Sequence, residues 1–196
     1  MVAVLATSCG GSKSSTSPTT KATALPTTTT ATTVVPSGYS AFADTTDKFT
    51  IAVPTAWRQI DPASAGATQV FSDVVKANPK LSSLLGSGPA DLLAKGIKFF
   101  GVDVSGATDF APNVNVIVKA ALGATDADLP QAVAALKTQY SQIGATVTST
   151  ATVPLAGHQA LQVKVQLPLT TPAGAKTTVA ETQDLVAAND LIYILT

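Results

Sequence analysis

His158 is the sole histidine of this chain and Cys9 its sole cysteine. Chemistry that needs an imidazole must run through the first, and chemistry that needs a thiol through the second. A Ser-His-Asp or Cys-His arrangement places a nucleophile and an acidic partner around one histidine. The G-x-S-x-G elbow that presents such a serine ahead of a helix is absent here. His158 follows Gly157 directly, where a turn hands over to a strand, and reads as a structural or solvent-exposed residue. Asp126 and Asp128 are the closest thing to a carboxylate pair, but they stand where a helix needs a cap and first-turn negative charge, which accounts for both. No run has the ligand spacing of an EF-hand cage. Gly86-Ser-Gly-Pro89 lacks the Lys-Ser/Thr and the incoming strand of a phosphate loop, and reads as a linker. Trp57 could stack on a ligand, yet its place just after a strand suits core packing better. These residues imply no cofactor and no metal.

Composition narrows the classes further. The 12 basic and 12 acidic residues balance to zero, and the lysines are scattered singly, which argues against nucleic-acid binding because phosphate backbones are neutralised by clustered cations. One cysteine allows neither an intramolecular disulfide nor a thiolate zinc cluster. With 45% hydrophobic residues and a mean hydropathy of +0.31, the 196 residues suffice for one folded domain with a tail.

Cys9 belongs to the tail. Met1 to Cys9 reads MVAVLATSC, a short apolar run and then small residues ahead of the cysteine, with Gly10 and Gly11 after it. It resembles a bacterial lipobox, which implies a lipidated Cys9 and cleavage just before it. Leu5 stands one place earlier than is usual and no charged n-region precedes it, which reads as a start cut short. From Ser12 to Pro36, 14 of 25 residues are Ser or Thr. That composition predicts a disordered stalk over residues 10–37. A flexible tether of this length spans about 25–30 Å. No run of 18 or more apolar residues could span a membrane.

The elements that position the remaining residues begin near Gly38. DKFTIAVPTAW alternates Phe49, Ile51 and Val53 on one face and stops at Pro54, as a strand does. Between Thr68 and Gly96 three short helical stretches, TQVFSDVVKANP, LSSLLG and PADLLAKG, each end at Pro or Gly. Strand patterns return in Ile97–Ser105 and Asn113–Leu122. The spacing predicts a helix over 128–143, capped by Asp128 with Gln131 three residues on, with a buried stripe of Leu129, Val133, Leu136, Tyr140 and Ile143, and ended by Gly144. ATVTSTATVP, HQALQVKVQLPL, KTTVAETQDLVA and LIYILT then read as strands joined by the tight turns Thr171–Gly174 and Ala187–Asp190. Short connections imply antiparallel pairing. The class is α+β, a meandering sheet with helices packed on it.

FTIAVPTAW, FAPNVNVIV, LPQAVAALKTQY, LAGHQALQVKV and TQDLVAANDLIYILT together resemble actinobacterial lipoproteins of the LpqN/LpqT type, from about Tyr39 to the last residue. The resemblance implies a PsbP-like fold, a non-enzymatic binding or assembly role and a place on the outer face of the cell membrane. It also implies a helix after the tyrosine strand, so the domain, residues 38–196, is expected to lack its final helix and to expose a groove beside Ile192 and Ile194. The expected partners are the membrane, through a lipid on Cys9, and an envelope protein or small apolar ligand. Two alternatives compete: an envelope serine hydrolase using His158, and a stalked adhesion or assembly protein with no small ligand. An apolar pocket, a serine hydroxyl on His158 or a broad bare patch would separate the three.

Overall fold

Phe42, Phe49, Ile51 and Val53 turn the same way from two adjacent strands and pack together on the middle of a larger sheet. The computed structural model describes residues 35–77, 79, 85–105, 111–170 and 174–196. Within them, β1 (Tyr39–Asp44) and β2 (Phe49–Pro54) form an antiparallel hairpin of their own. Asp44 ends β1, because its Oδ1 accepts the N–H groups of Thr46 and Asp47, both at 2.9 Å, and so turns the backbone out of the strand. The alternation expected in β2 is present, with Val53 only 2% exposed. The preceding strand β1 was not expected from the sequence. Its alternation of Ser40, Phe42 and Asp44 with exposed Tyr39, Ala41 and Ala43 offers a single large apolar residue.

The larger sheet holds seven antiparallel strands among the described residues. They are β3 (Arg58–Ile60), β4 (Ile97–Val102), β5 (Asn113–Ala120), β6 (Thr146–Leu155), β7 (His158–Thr170), β8 (Lys176–Ala188) and β9 (Leu191–Leu195). Their order across the sheet is β3-β4-β5-β9-β8-β7-β6. The expected meander is therefore interrupted once. After β5 the chain crosses to the far edge as β6 and then steps back strand by strand, so the last strand, β9, lies between β5 and β8 in the middle.

Helices cover one face of this sheet. α1 (Ala67–Ala77) and α2 (Pro89–Ala94) pack Val74 and Leu92 against Ile60, Ile97, Phe100 and Val102. Ile97 and Phe100 share that face because a bulge between Ile97 and Phe99 shifts the pleat by one residue. Phe99 is thereby turned to the other face, where it is fully buried under the hairpin. The stretch LSSLLG, expected to be helical, lies outside the described residues except for its end.

The helix expected over 128–143 begins as a 3₁₀ helix, Asp126–Ala132, and becomes α3 at Val133–Gln142. Pro130 sits inside the first part without an N–H to donate, which suits the tighter, shorter winding. Its cap is not Asp128, as expected, but Thr125, which forms a capping box with Asp128 at the third helical position. The carboxylate of Asp128 accepts the Thr125 N–H at 2.9 Å and hydroxyl at 2.7 Å. Leu129, Val133, Leu136 and Tyr140 do face the sheet, onto Leu161, Val163 and Leu185, and Gly144 takes the left-handed conformation of a helix stop at φ 75°. Ile143 falls off the stripe, 61% exposed, because the helix has already ended at Gln142.

Tyr193 faces opposite to Ile192 and Ile194, as the alternation requires. Ile192 and Ile194 are half-buried on the helix face, whereas Tyr193 is 6% exposed under the hairpin.

Candidate functional site

Three hairpin turns meet at one end of the hairpin face. The β1–β2 turn contributes Lys48, the β6–β7 turn Ala156 and the β8–β9 turn Asn189, and all three have left-handed backbone, with φ of 56°, 51° and 55°. Between them opens a cleft of about 260 Å³. Its floor is made of buried Val116, Val186 and Tyr193, and half-buried Phe49, Ile51, Leu155 and Leu195 form apolar walls. Lys48, Thr50, Ala156 and Asn189 are exposed and form the mouth, with His158 half-buried beside them. No carboxylate lines the cleft. It lies on the Tyr193 side of β9, opposite to the face of Ile192 and Ile194 where a groove was expected, because the hairpin leaves this end of its own face uncovered.

Packing of the hairpin defines the walls. Phe42 lies 4.8 Å from Phe99 and 5.9 Å from Phe49, and Phe49 meets Tyr193 edge-on at 6.4 Å. The Tyr193 hydroxyl donates to the carbonyl of Asp47 at 2.9 Å, and the Asp47 carboxylate pairs with Lys98 at 2.9 Å. The turn that carries Lys48 is thus fastened to β9 and β4, while Lys48 itself makes no ion pair among the described residues.

His158 lines the cleft, and its Nδ1 lies 3.4 Å from Asp126 Oδ2. Asp126 opens the 3₁₀ helix and stands in its first turn, as the sequence suggested, but its carboxylate reaches out to the strands. Its Oδ2 accepts the Gln159 N–H at 2.9 Å and its Oδ1 the Ala187 N–H at 3.2 Å. The β7–β8 ladder starts at Leu161 and Leu185. Two residues further along that register Gln159 would face Ala187, and the carboxylate fills the gap where the strands part. Burial opposes its charge, but those two N–H groups and the neighbouring His158 prevail and hold Asp126 below the usual carboxylate range.

Asp126 and Asp128, two residues apart, serve different neighbours and do not converge on a common point, and no group of metal-ligating side chains gathers among the described residues. Nor does any serine line the cleft around His158. Trp57 is half-buried against the hairpin cluster, in the packing place expected for it. Ser87 of the glycine-flanked linker donates from its backbone and its hydroxyl to Asp91, both at 2.7 Å, and these bonds hold the Asp91 carboxyl below its ordinary range. Cys9 and nearly all of the Ser/Thr-rich segment lie outside the described residues. Sequence reasoning missed Lys48 and the Asp126–His158 pair. A lysine in a polar turn carries no distinguishing signal, and the partners of Asp126 are backbone groups 33 and 61 residues away.

Residues 37–119 match the family model for PsbP. The matched segment runs from the turn before β1 into the end of β5. It therefore includes the hairpin with Lys48 but not the β6–β9 wall of the cleft. No curated protein matches the chain. Among solved structures, the solution structure of cyanobacterial PsbP (CyanoP) from Synechocystis sp. PCC 6803 is similar at 10% identity, with a TM-score of 0.42, over 84% of this chain and 81% of that one. The fold is α+β, and its part over residues 37–119 is PsbP-like.

Proposed function

We propose that this chain is a non-enzymatic binding module, a PsbP-like domain tethered to the outer face of a cell membrane by a lipid on Cys9, and that its cleft takes a small apolar ligand or an apolar segment of an envelope protein. The observation that carries the reading is the floor of Val116, Val186 and Tyr193, an apolar concavity open to solvent at the mouth. The PsbP match of residues 37–119 supports it, since proteins of that family are chiefly binding and assembly proteins. The geometry around His158 points the same way. Its Nδ1 is engaged by a carboxylate whose other contacts are strand N–H groups, and the hydrolase alternative would need a serine hydroxyl in reach that the cleft does not offer. The small residues before Cys9 and the polar run after it support the tether.

A neutral apolar fluorophore, N-phenyl-1-naphthylamine, should brighten on addition of the protein and stop doing so in Ala188→Trp, which fills the cleft from the end of β8. Equal brightening in a folded Ala188→Trp variant would remove the cleft from the reading. Absence of binding by the unaltered protein would favour the adhesion or assembly role.

A further inference from the structure

The charges around the cleft are lopsided. Its lining contains the Lys48 ammonium and the His158 imidazole but neither Asp nor Glu, although acidic residues equal basic ones over the whole chain. The nearby carboxylates are committed elsewhere: Asp44 to the Thr46 and Asp47 N–H groups, Asp47 to Lys98, Asp190 to the Gly123 N–H, and Asp126 to two backbone N–H groups and His158 Nδ1. Lys48 is thus a cation without a carboxylate partner among the described residues, held by a left-handed turn at the lip of an apolar hollow. With Nδ1 turned to Asp126, His158 has Nε2 left as a polar contact, and Thr50 and Asn189 add a hydroxyl and an amide at the mouth. Deeper in, the buried polar group is the Tyr193 hydroxyl, which is already donating to Asp47. Polar recognition is confined to the mouth and apolar contact to the floor.

We infer that the cleft binds a single-chain anionic amphiphile, with its alkyl tail on Val116, Val186 and Tyr193 and its carboxylate or phosphate head at Lys48. The inference rests on the binding reading above and names the ligand class. A volume of about 260 Å³ lies just under the range of small-molecule pockets, roughly 300–1,000 Å³, which suits one alkyl chain and not two. An anionic head matches the uncompensated cation. A neutral head of the same chain length would forgo that contact, while a cationic head would meet Lys48 with like charge.

The test is displacement of N-phenyl-1-naphthylamine from the full chain by dodecanoate and dodecyl phosphate, each below its micellar concentration, and by dodecanol below its solubility limit. Both anions should displace the fluorophore at concentrations about fivefold lower than dodecanol, the scale of one partly exposed ion pair. Added salt should shrink that advantage. Lys48→Gln should erase it without changing displacement by dodecanol, and Lys48→Arg should keep it. Whichever anion competes better identifies a fatty acid or a phosphate-headed lipid as the source of the head. If dodecanol matches the anions, or Lys48→Gln leaves their advantage intact, the inference falls while the binding reading stands. If the fluorophore binds in the cleft and none of the three displaces it, the ligand class is wrong. If the fluorophore does not bind at all, both fall together.

Discussion

The Tyr193 hydroxyl donates to the Asp47 carbonyl at 2.9 Å across 146 residues of chain, joining the central strand of the sheet to the turn of the hairpin laid over it. With the Asp47–Lys98 pair and the bond from Gln59 Nε2 to Ser40 Oγ, it is one of three polar ties around a contact made by the rings of Phe42, Phe49 and Phe99. Tyr193→Phe keeps the ring and removes the donor. It should cost about 1 kcal/mol in chemical denaturation, the typical net worth of one hydrogen bond. The loss should be local as well as global, with faster amide exchange in β1 and β2 than in β7. Unchanged stability together with unchanged exchange would show that the hairpin is held without this hydrogen bond, by the rings, the Asp47–Lys98 pair and the Gln59–Ser40 bond.

Asp126 replaces a rung of the β7–β8 ladder with a side chain, so its charge state should reach the stability of the sheet. Its pKa is lowered on folding, which means its contribution is present above the unfolded carboxylate value of about 3.9 and is lost as pH falls through the lower folded value. Acid titration of stability should therefore show a falling limb below about pH 4 to which Asp126 contributes. In Asp126→Asn this part of the limb should flatten. The same variant should lose about 1–3 kcal/mol at pH 7, because the amide offers one acceptor oxygen to two N–H groups. An acid limb of the same depth in the variant would assign it to other carboxylates.

Ala156 occupies a left-handed turn position, at φ 51°, followed by Gly157 at φ 85°, between the paired residues Leu155 and His158. An alanine there costs about 1–2 kcal/mol relative to a relaxed backbone, partly offset for glycine by its larger unfolded-state entropy, about 0.5–1 kcal/mol. Ala156→Gly should accordingly stabilise the domain by about 0.5–1 kcal/mol. The readout is a higher denaturation midpoint at unchanged slope; a lower midpoint would mean that the alanine methyl makes contacts worth more than the strain.

Cys9 is expected to carry the lipid. Expressed behind an export signal, the chain should fractionate with membranes, and Cys9→Ala should move it into the medium. Retention of the variant on membranes to the same extent would end the lipoprotein proposal without touching the cleft.

What could be read from the residues in order was the set of elements with strong local signals. Val114, Val116 and Val118 alternate in β5, His158–Thr170 alternates in its middle, and Lys176–Ala188 and Leu191–Leu195 carry short continuous apolar runs. Gly144 and the Asn189-Asp190 turn punctuate the chain through backbone preferences that act within a few residues. Short-range physics of this kind determined the α+β class and placed Tyr193 opposite Ile192 and Ile194. The order of strands was a different matter. β9 lies between β5 and β8 because the chain crosses to the far edge after β5, and that jump is a competition among distant apolar faces that no local window contains. β1 is a strand because β2 and the sheet bury Phe42, its single large apolar residue. Asp126 looks like a helix cap from its neighbours and became a bridge between strands because folding left two N–H groups without ladder partners within its reach. Lys48, Ala156 and Asn189 are unremarkable turn residues in sequence. Only the packing of the hairpin against the sheet brings their three turns to one mouth, because the floor beneath them joins Val116 of β5 to Val186 and Tyr193 of the distant β8–β9 pair.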